Sequence, residues 1–198
     1  MGLFGGNSIV GLDIGTTSIK AVKMQAGKKG WQVVGTGHVW TPRGAIAEGM
    51  VADEKAILPA LKNLFAQPAL RGSDAVAAIN FTSAVLVRRA GIPAATPDAL
   101  RKQVKAQPDE LGLNAGPEYI HDFQILGVRG EGAEAQMDTV LVSAPRASVE
   151  GRLHLLESAG LDTVSMDIEP FALMRALVES KPALLEMPGA TAILDLGA

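Results

Sequence analysis

The sequence predicts an α/β fold, and three features lead to it. Residues 8–15 form a nearly continuous apolar run that closes on Gly15-Thr16-Thr17, as a strand covered on both faces would before a tight turn. From residue 75 to residue 168, short β-rich runs alternate with helical spacings. Near the end, Leu194-Asp195-Leu196-Gly197 echoes Leu12-Asp13-Ile14-Gly15, so that two strands would each offer a carboxylate and a glycine turn.

The elements follow in order. A second strand is expected at 18–25, where Ile19 and Ala21 alternate with Lys20; a glycine-bearing turn at 26–30 then leads to a third strand at 31–39, giving a meander. Residues 53–67 carry Ile57, Leu61, Leu64 and Phe65 at helical spacing behind Asp53 as N-cap. Pro59 calls for a kink or a later start, because an interior proline costs about 3 kcal/mol in a helix. Strands at 75–80 and 85–92, a helix at 97–107, strands at 119–126 and 137–144, a helix at 147–159 and a strand at 163–168 come next. From 85 to 168 this is β-α-β-β-α-β, the order of a split βαβ unit. Thr96-Pro97 starts its first helix and Gly160 stops its second. The loop 127–136, with its Gly-Glu-Gly-Ala-Glu run, is expected to be the most mobile segment. A helix at 171–180 and a last apolar strand at 190–196 complete the chain.

Composition narrows the function classes. With 47% hydrophobic and 20% charged residues and a net charge of −3, the 198 residues read as an ordinary globular chain with enough apolar side chains for a real core. Basic residues occur singly or in pairs, so no stripe is available to neutralise nucleic-acid phosphates. Cysteine is absent, which excludes disulfides and thiolate metal sites. The start lacks the pattern of a secretory signal, and no run approaches the ~20 apolar residues of a membrane-spanning helix, so membrane attachment is expected only through a partner. Trp31, Trp40 and the methionines read as core or edge fillers, as do His38, His121 and His154, no two of which have metal-ligand spacing.

The first turn has the chemistry of a phosphate site. Phosphates want backbone N–H donors from a tight turn free of bulky side chains, and a magnesium ion wants one or two carboxylates acting largely through water. Residues Gly15, Thr16, Thr17 and Ser18 would supply the donors and hydroxyls, Lys20 a compact positive charge, and Asp13 and Asp195 the carboxylates toward the metal, with Gly197 closing the second turn. The same Gly-Thr-Thr-Ser is also ordinary hairpin chemistry.

Gly-Leu-Asp-Ile-Gly-Thr-Thr-Ser-Ile-Lys-Ala-Val-Lys at 11–23 resembles the first phosphate motif of the actin, Hsp70 and sugar-kinase superfamily. Further stretches narrow the likeness: Ala-Ile-Asn-Phe-Thr-Ser-Ala-Val-Leu-Val-Arg-Arg at 78–89, Tyr-Ile-His-Asp-Phe-Gln-Ile-Leu-Gly at 119–127, Val-Leu-Val-Ser-Ala-Pro at 140–145, and Met-Asp-Ile-Glu-Pro-Phe-Ala-Leu-Met-Arg-Ala-Leu at 166–177. In this order they are similar, across essentially the whole chain, to the type IV pilus assembly family PilM. A departure is the aromatic-poor stretch 108–117, where the family usually has aromatic residues.

The resemblance implies an actin-like (ribonuclease H-like) first lobe: residues 1–84 with the phosphate hairpin, an inserted subdomain of the kind seen in the division protein FtsA at 85–161, and a return to the lobe at 162–198. It implies ATP and Mg2+ as cofactors and, at Glu169-Pro170, the Glu-Pro that positions an attacking water in related ATPases, making Glu169 the catalytic candidate of an at most weak ATPase. It implies a place on the cytoplasmic face of the inner membrane, the N-terminal tail of PilN and the pilus motor and platform as partners, and a part in twitching motility. Because the family's second phosphate loop lies further on, the chain is expected to be the first part of a longer protein, inactive and prone to self-association when alone. An FtsA-like filament protein and the first part of a sugar kinase are the alternatives.

Overall fold

The computed structural model describes residues 8–28, 30–72, 74–80, 84–181, 183, 186, 188–190 and 192–195. The chain divides into two compact units, Met1–Phe81 with Glu150–Ala198, and Thr82–Val149.

The first unit is built on a five-stranded sheet. The meander is present as β1 (Ser8–Ile14), β2 (Ser18–Gly27) and β3 (Gly30–Trp40), each antiparallel to the next. A two-residue hairpin of β4 (Ile46–Ala47) and β5 (Met50–Val51) leads to α1 (Glu54–Ala66), then come β6 (Asp74–Ile79) and, after the second unit, β10 (Thr163–Ile168). The sheet order is β10-β6-β1-β2-β3, with β6 parallel to both β1 and β10. β1 is not covered on both faces as expected: Val10, Leu12 and Ile14 are buried while Gly11 and Asp13 are exposed. Its neighbours fill only one face, where Ile57, Leu61 and Leu64 of α1 and Leu155 and Leu156 of α3 (Arg146–Ser158) pack.

Local chemistry sets the helix ends. The Asp53 carboxylate accepts the Ala56 N–H at 3.0 Å, the N-cap expected from the sequence. Pro59 neither delays nor ends α1: it sits inside the helix, leaving the Lys55 carbonyl without its usual donor. Leu61 and Leu64, fully buried two and five residues later, anchor the turn that proline weakens. Gly160 ends α3 at φ +80°, where a side chain would be strained, and the Leu161 N–H closes back on the Leu156 carbonyl at 3.0 Å.

β3 is an edge strand, and its inner face lies so close to α1 and the following turn that glycine is required. A Cβ at Gly35 would stand 2.5 Å from the Ala69 carbonyl oxygen, and one at Gly37 2.6 Å from Leu64 Cδ1. Trp40 and Trp31, expected as fillers, are 71% and 46% exposed on this edge. The last strand expected, at 190–196, is absent over 192–195, where Leu194 is exposed. A strand persists only against a ladder partner, and no described strand offers one there.

The second unit is a three-stranded antiparallel sheet, β7 (Leu86–Pro93), β9 (Gln136–Pro145) and β8 (Tyr119–Arg129) in the order β7-β9-β8, with α2 (Pro97–Ala106) packing Leu100 and Val104 on Ile92, Met137 and Leu141. Thr96 caps α2 through its hydroxyl, which accepts the Ala99 N–H at 3.2 Å. The order β-α-β-β-α-β expected from 85 to 168 is present along the chain, but its last strand, β10, pairs with β6 in the other sheet, because its Asp167 and Ile168 find their partners in Ala78 and Ile79. The loop expected at 127–136 is shorter: β8 runs on to Arg129 and β9 begins at Gln136. Asp138 tightens that hairpin, accepting from Arg89 at 2.8 and 2.5 Å and from Arg129 at 3.0 Å. The bonds from Arg89 hold its carboxyl below the ordinary value of 3.8; the stabilisation is complete above that pH and is lost as pH falls through the depressed value.

Gly35→Ala is expected to destabilise the chain by about 1–3 kcal/mol, since backbone rather than a movable side chain opposes the new methyl. Gly151→Ala, inside α3 with nothing within 4 Å of its Cβ position, should stabilise it by about 0.5–1 kcal/mol. Urea unfolding of the two variants beside the parent measures both.

Candidate functional site

The turn between β1 and β2 is held from inside. The Gly15 N–H donates to the Ser18 carbonyl at 3.0 Å, and buried Thr41 donates its hydroxyl to the Gly15 carbonyl at 2.7 Å and its N–H to the Thr17 carbonyl at 2.9 Å. With these carbonyls tied inward, Thr16 and Thr17 form an exposed tip. Ser18, read from the sequence as part of the ligand-facing set, is instead buried, and its carbonyl closes the turn. Asp13 and Lys20 face each other across the ladder, and the Lys20 ammonium donates to Asp13 Oδ2 at 3.0 Å, both side chains about half exposed. Such a pair contributes at most about 1 kcal/mol, so a competing anion displaces it at small cost.

Beneath this turn lies a buried cation that sequence reasoning missed. Arg152 of α3 is 1% exposed and donates to the Ile14 carbonyl at 3.0 Å, to Asn80 Oδ1 at 2.7 Å and to the Gly49 carbonyl at 3.3 Å. The Asn80 amide in turn donates to Glu169 Oε1. Ile14, Asn80 and Glu169 thus sit at the carboxyl ends of β1, β6 and β10, which run parallel side by side, the edge where open α/β sheets bind ligands. Burial pushes the Arg152 guanidinium below its ordinary value, while Glu169 and then Asp13 act in the opposite sense. The guanidinium stays charged throughout the working range. The signal was present in the sequence: Arg152 shares the i, i+3, i+4 face of Leu155 and Leu156, an odd place for a charge. Asn80 carried no such mark.

Glu169 opens α4 (Glu169–Met174), with Pro170 at the second helical position. A cavity of about 280 Å³ is lined by Glu169, Pro170, Leu173, Ile193 and Asp195. Asp195 and Glu169 thus line one cavity, although Asp195 does not lie on the strand expected for it. Gly197 lies outside the described residues. Oxygen donors of this kind suit a hard cation such as magnesium, which keeps much of its water; among the described residues no three His, Asp or Glu side chains form a ready-made metal cluster. The histidines are apart: His121 bonds the Asn114 carbonyl at 2.7 Å, His154 lies 3.5 Å from Glu54, and His38 packs edge-on against Trp40.

Comparison with known proteins gives a concordant result. The family model described as type IV pilus assembly protein PilM matches residues 11–198. Among solved structures, the chain is similar to one in a PilM-PilN type IV pilus biogenesis complex, with 26% identity and a TM-score of 0.74, over 87% of this chain and 50% of that one. It thus spans about half the length of that relative. It is also similar to the cytoplasmic domain of EpsL, an inner membrane component of the type II secretion system of Vibrio cholerae (14% identity, TM-score 0.49, 81% of this chain and 57% of that one). A further similar structure is the ethanolamine utilization protein EutJ from Carboxydothermus hydrogenoformans (18% identity, TM-score 0.45, 89% of this chain and 42% of that one). The α/β fold expected of an actin-like first lobe is the one observed.

Arg152→Met is expected to cost about 3 kcal/mol or more, because it leaves two backbone carbonyls and the Asn80 amide oxygen without their donor in the core. Urea unfolding of the variant beside the parent measures the loss.

Proposed function

Because the chain belongs to the type IV pilus assembly protein PilM family, matching its model over residues 11–198, we propose that it is a cytoplasmic ATP-binding component of that assembly machinery. In this reading it holds the N-terminal tail of PilN and links it to the motor platform. The observation that carries the reading is the 0.74 TM-score to a chain of the PilM-PilN complex, joined to the family match. Among the described residues no helix is long and apolar enough to cross a membrane. In this reading attachment to the inner membrane runs through the PilN tail.

The nucleotide reading rests on the chemistry of the turn. Thr16 and Thr17 offer backbone N–H groups and hydroxyls to phosphate oxygens, Gly15 serves by closing the turn through its own N–H rather than as a donor to the ligand, and Lys20 leaves Asp13 for the stronger anion. Asp13, released from that pair, and Asp195 would then hold magnesium, which neutralises phosphate charge when bound. Glu169, fixed by Asn80, orients a water for slow hydrolysis. This arrangement positions and polarises; it forms no covalent intermediate.

In the full-length protein, Asp13→Ala or Lys20→Ala should weaken Mg-ATP binding about 10- to 150-fold, the value of a hydrogen bond to a charged group. Titration calorimetry showing unchanged affinity in both variants would remove the site assignment. A synthetic peptide of the cognate PilN tail should bind the full-length protein at about micromolar Kd or tighter. If a folded full-length protein fails to retain that peptide, the PilN reading is lost while the nucleotide reading stands.

A further inference from the structure

Given the nucleotide site proposed above, we infer that Arg152 and Asn80 are positioning residues that lock the phosphate turn and the Glu169 carboxylate into one register. Three neighbouring strand ends, in the sheet order β10-β6-β1, are bridged by these two side chains. Arg152 reaches the last carbonyl of β1, immediately before Gly15, so the base of the turn moves with the guanidinium. The same guanidinium takes the oxygen of the Asn80 amide at 2.7 Å, and the amide nitrogen takes Glu169.

That leaves Asn80 only one orientation. Turned over, its NH2 would face a cation and its oxygen a carboxylate, losing both bonds at once. Glu169 is therefore addressed by a donor whose own direction is dictated from α3. The third contact, to the Gly49 carbonyl at 3.3 Å, brings in the β4–β5 hairpin, whose tip residues Glu48 and Gly49 both have positive φ, 51° and 77°. A planar fork with several donors can satisfy acceptors in three directions; a lysine ammonium on its flexible stem cannot hold them together. A cation needed only for packing would be better replaced by an apolar side chain, because burying it works against its charge.

The test avoids deleting Arg152, which threatens folding. In the full-length protein Asn80→Asp keeps an acceptor toward Arg152 but turns the donor facing Glu169 into a second carboxylate. Measured with Mg-ATP, this variant should lose about tenfold to a hundredfold in kcat while KM stays near the parent's and the protein still melts cooperatively, at a somewhat lower temperature because two carboxylates now face each other. The loss should shrink as pH falls and one proton comes to be shared between positions 80 and 169. In a Glu169→Gln background, Asn80→Asp should change nothing further, since its effect acts through Glu169. Carbon-detected NMR titration of Glu169 reads the same bond without turnover: its pKa should rise in Asn80→Asp. Arg152→Lys, which keeps the charge but not the fork, should give the same lowered kcat in a folded protein. If Glu169→Gln lowers kcat while Asn80→Asp matches the parent and leaves the Glu169 titration in place, the positioning role is overturned. If Glu169→Gln itself leaves turnover unchanged, the role of Glu169 falls, and the positioning role with it.

Discussion

The guanidinium of Arg152 sits where three segments would otherwise bury polar atoms with nothing to bond. Parallel strands ending side by side leave their last carbonyls and the side chains just past them pointing to one edge, and α3 covers that edge from the core side. Water is excluded there, so an internal donor is required. One arginine meets the requirement at Ile14, Asn80 and Gly49 together. The hairpin, the Asn80 amide and the start of α4 take their positions from it.

This constraint also explains the contrast between the two sides of the turn. Inside, Thr41 and Arg152 hold carbonyls in fixed directions, so the backbone is preorganised. Outside, Asp13 and Lys20 are half exposed and weakly coupled, free to exchange partners. A rigid base under a labile charged pair is what a site needs if it is to accept an anion without rebuilding its fold.

Much of this was legible in the sequence, for identifiable reasons. β1, β2 and β3 showed themselves by apolar runs and glycine turns, α1 by Asp53 and its apolar spacing, and the α3 stop by Gly160. Asp13 and Lys20 could be named because a strand end followed by a small-residue turn is a local pattern, and Glu169 because its Glu-Pro resembles one carried by related ATPases. Partnership was not local. Asn80 meets Glu169 across 89 positions and Arg152 meets Ile14 across 138, and only the sheet order brings them together. The split-βαβ order taken alone misassigned β10 for the same reason: element order along the chain does not reveal which sheet a strand joins. The expected strand at 190–196 shows the converse, that apolar alternation without a ladder partner makes no strand.

The chain has two tryptophans, and both lie on β3 with much of their rings in water. Its intrinsic fluorescence is therefore that of hydrated indole already in the native state, and it carries little information about the interior. What the emission follows is the rim of the sheet: it shifts toward the blue when another surface lies against β3, and stays almost still while Arg152 and its neighbours come apart.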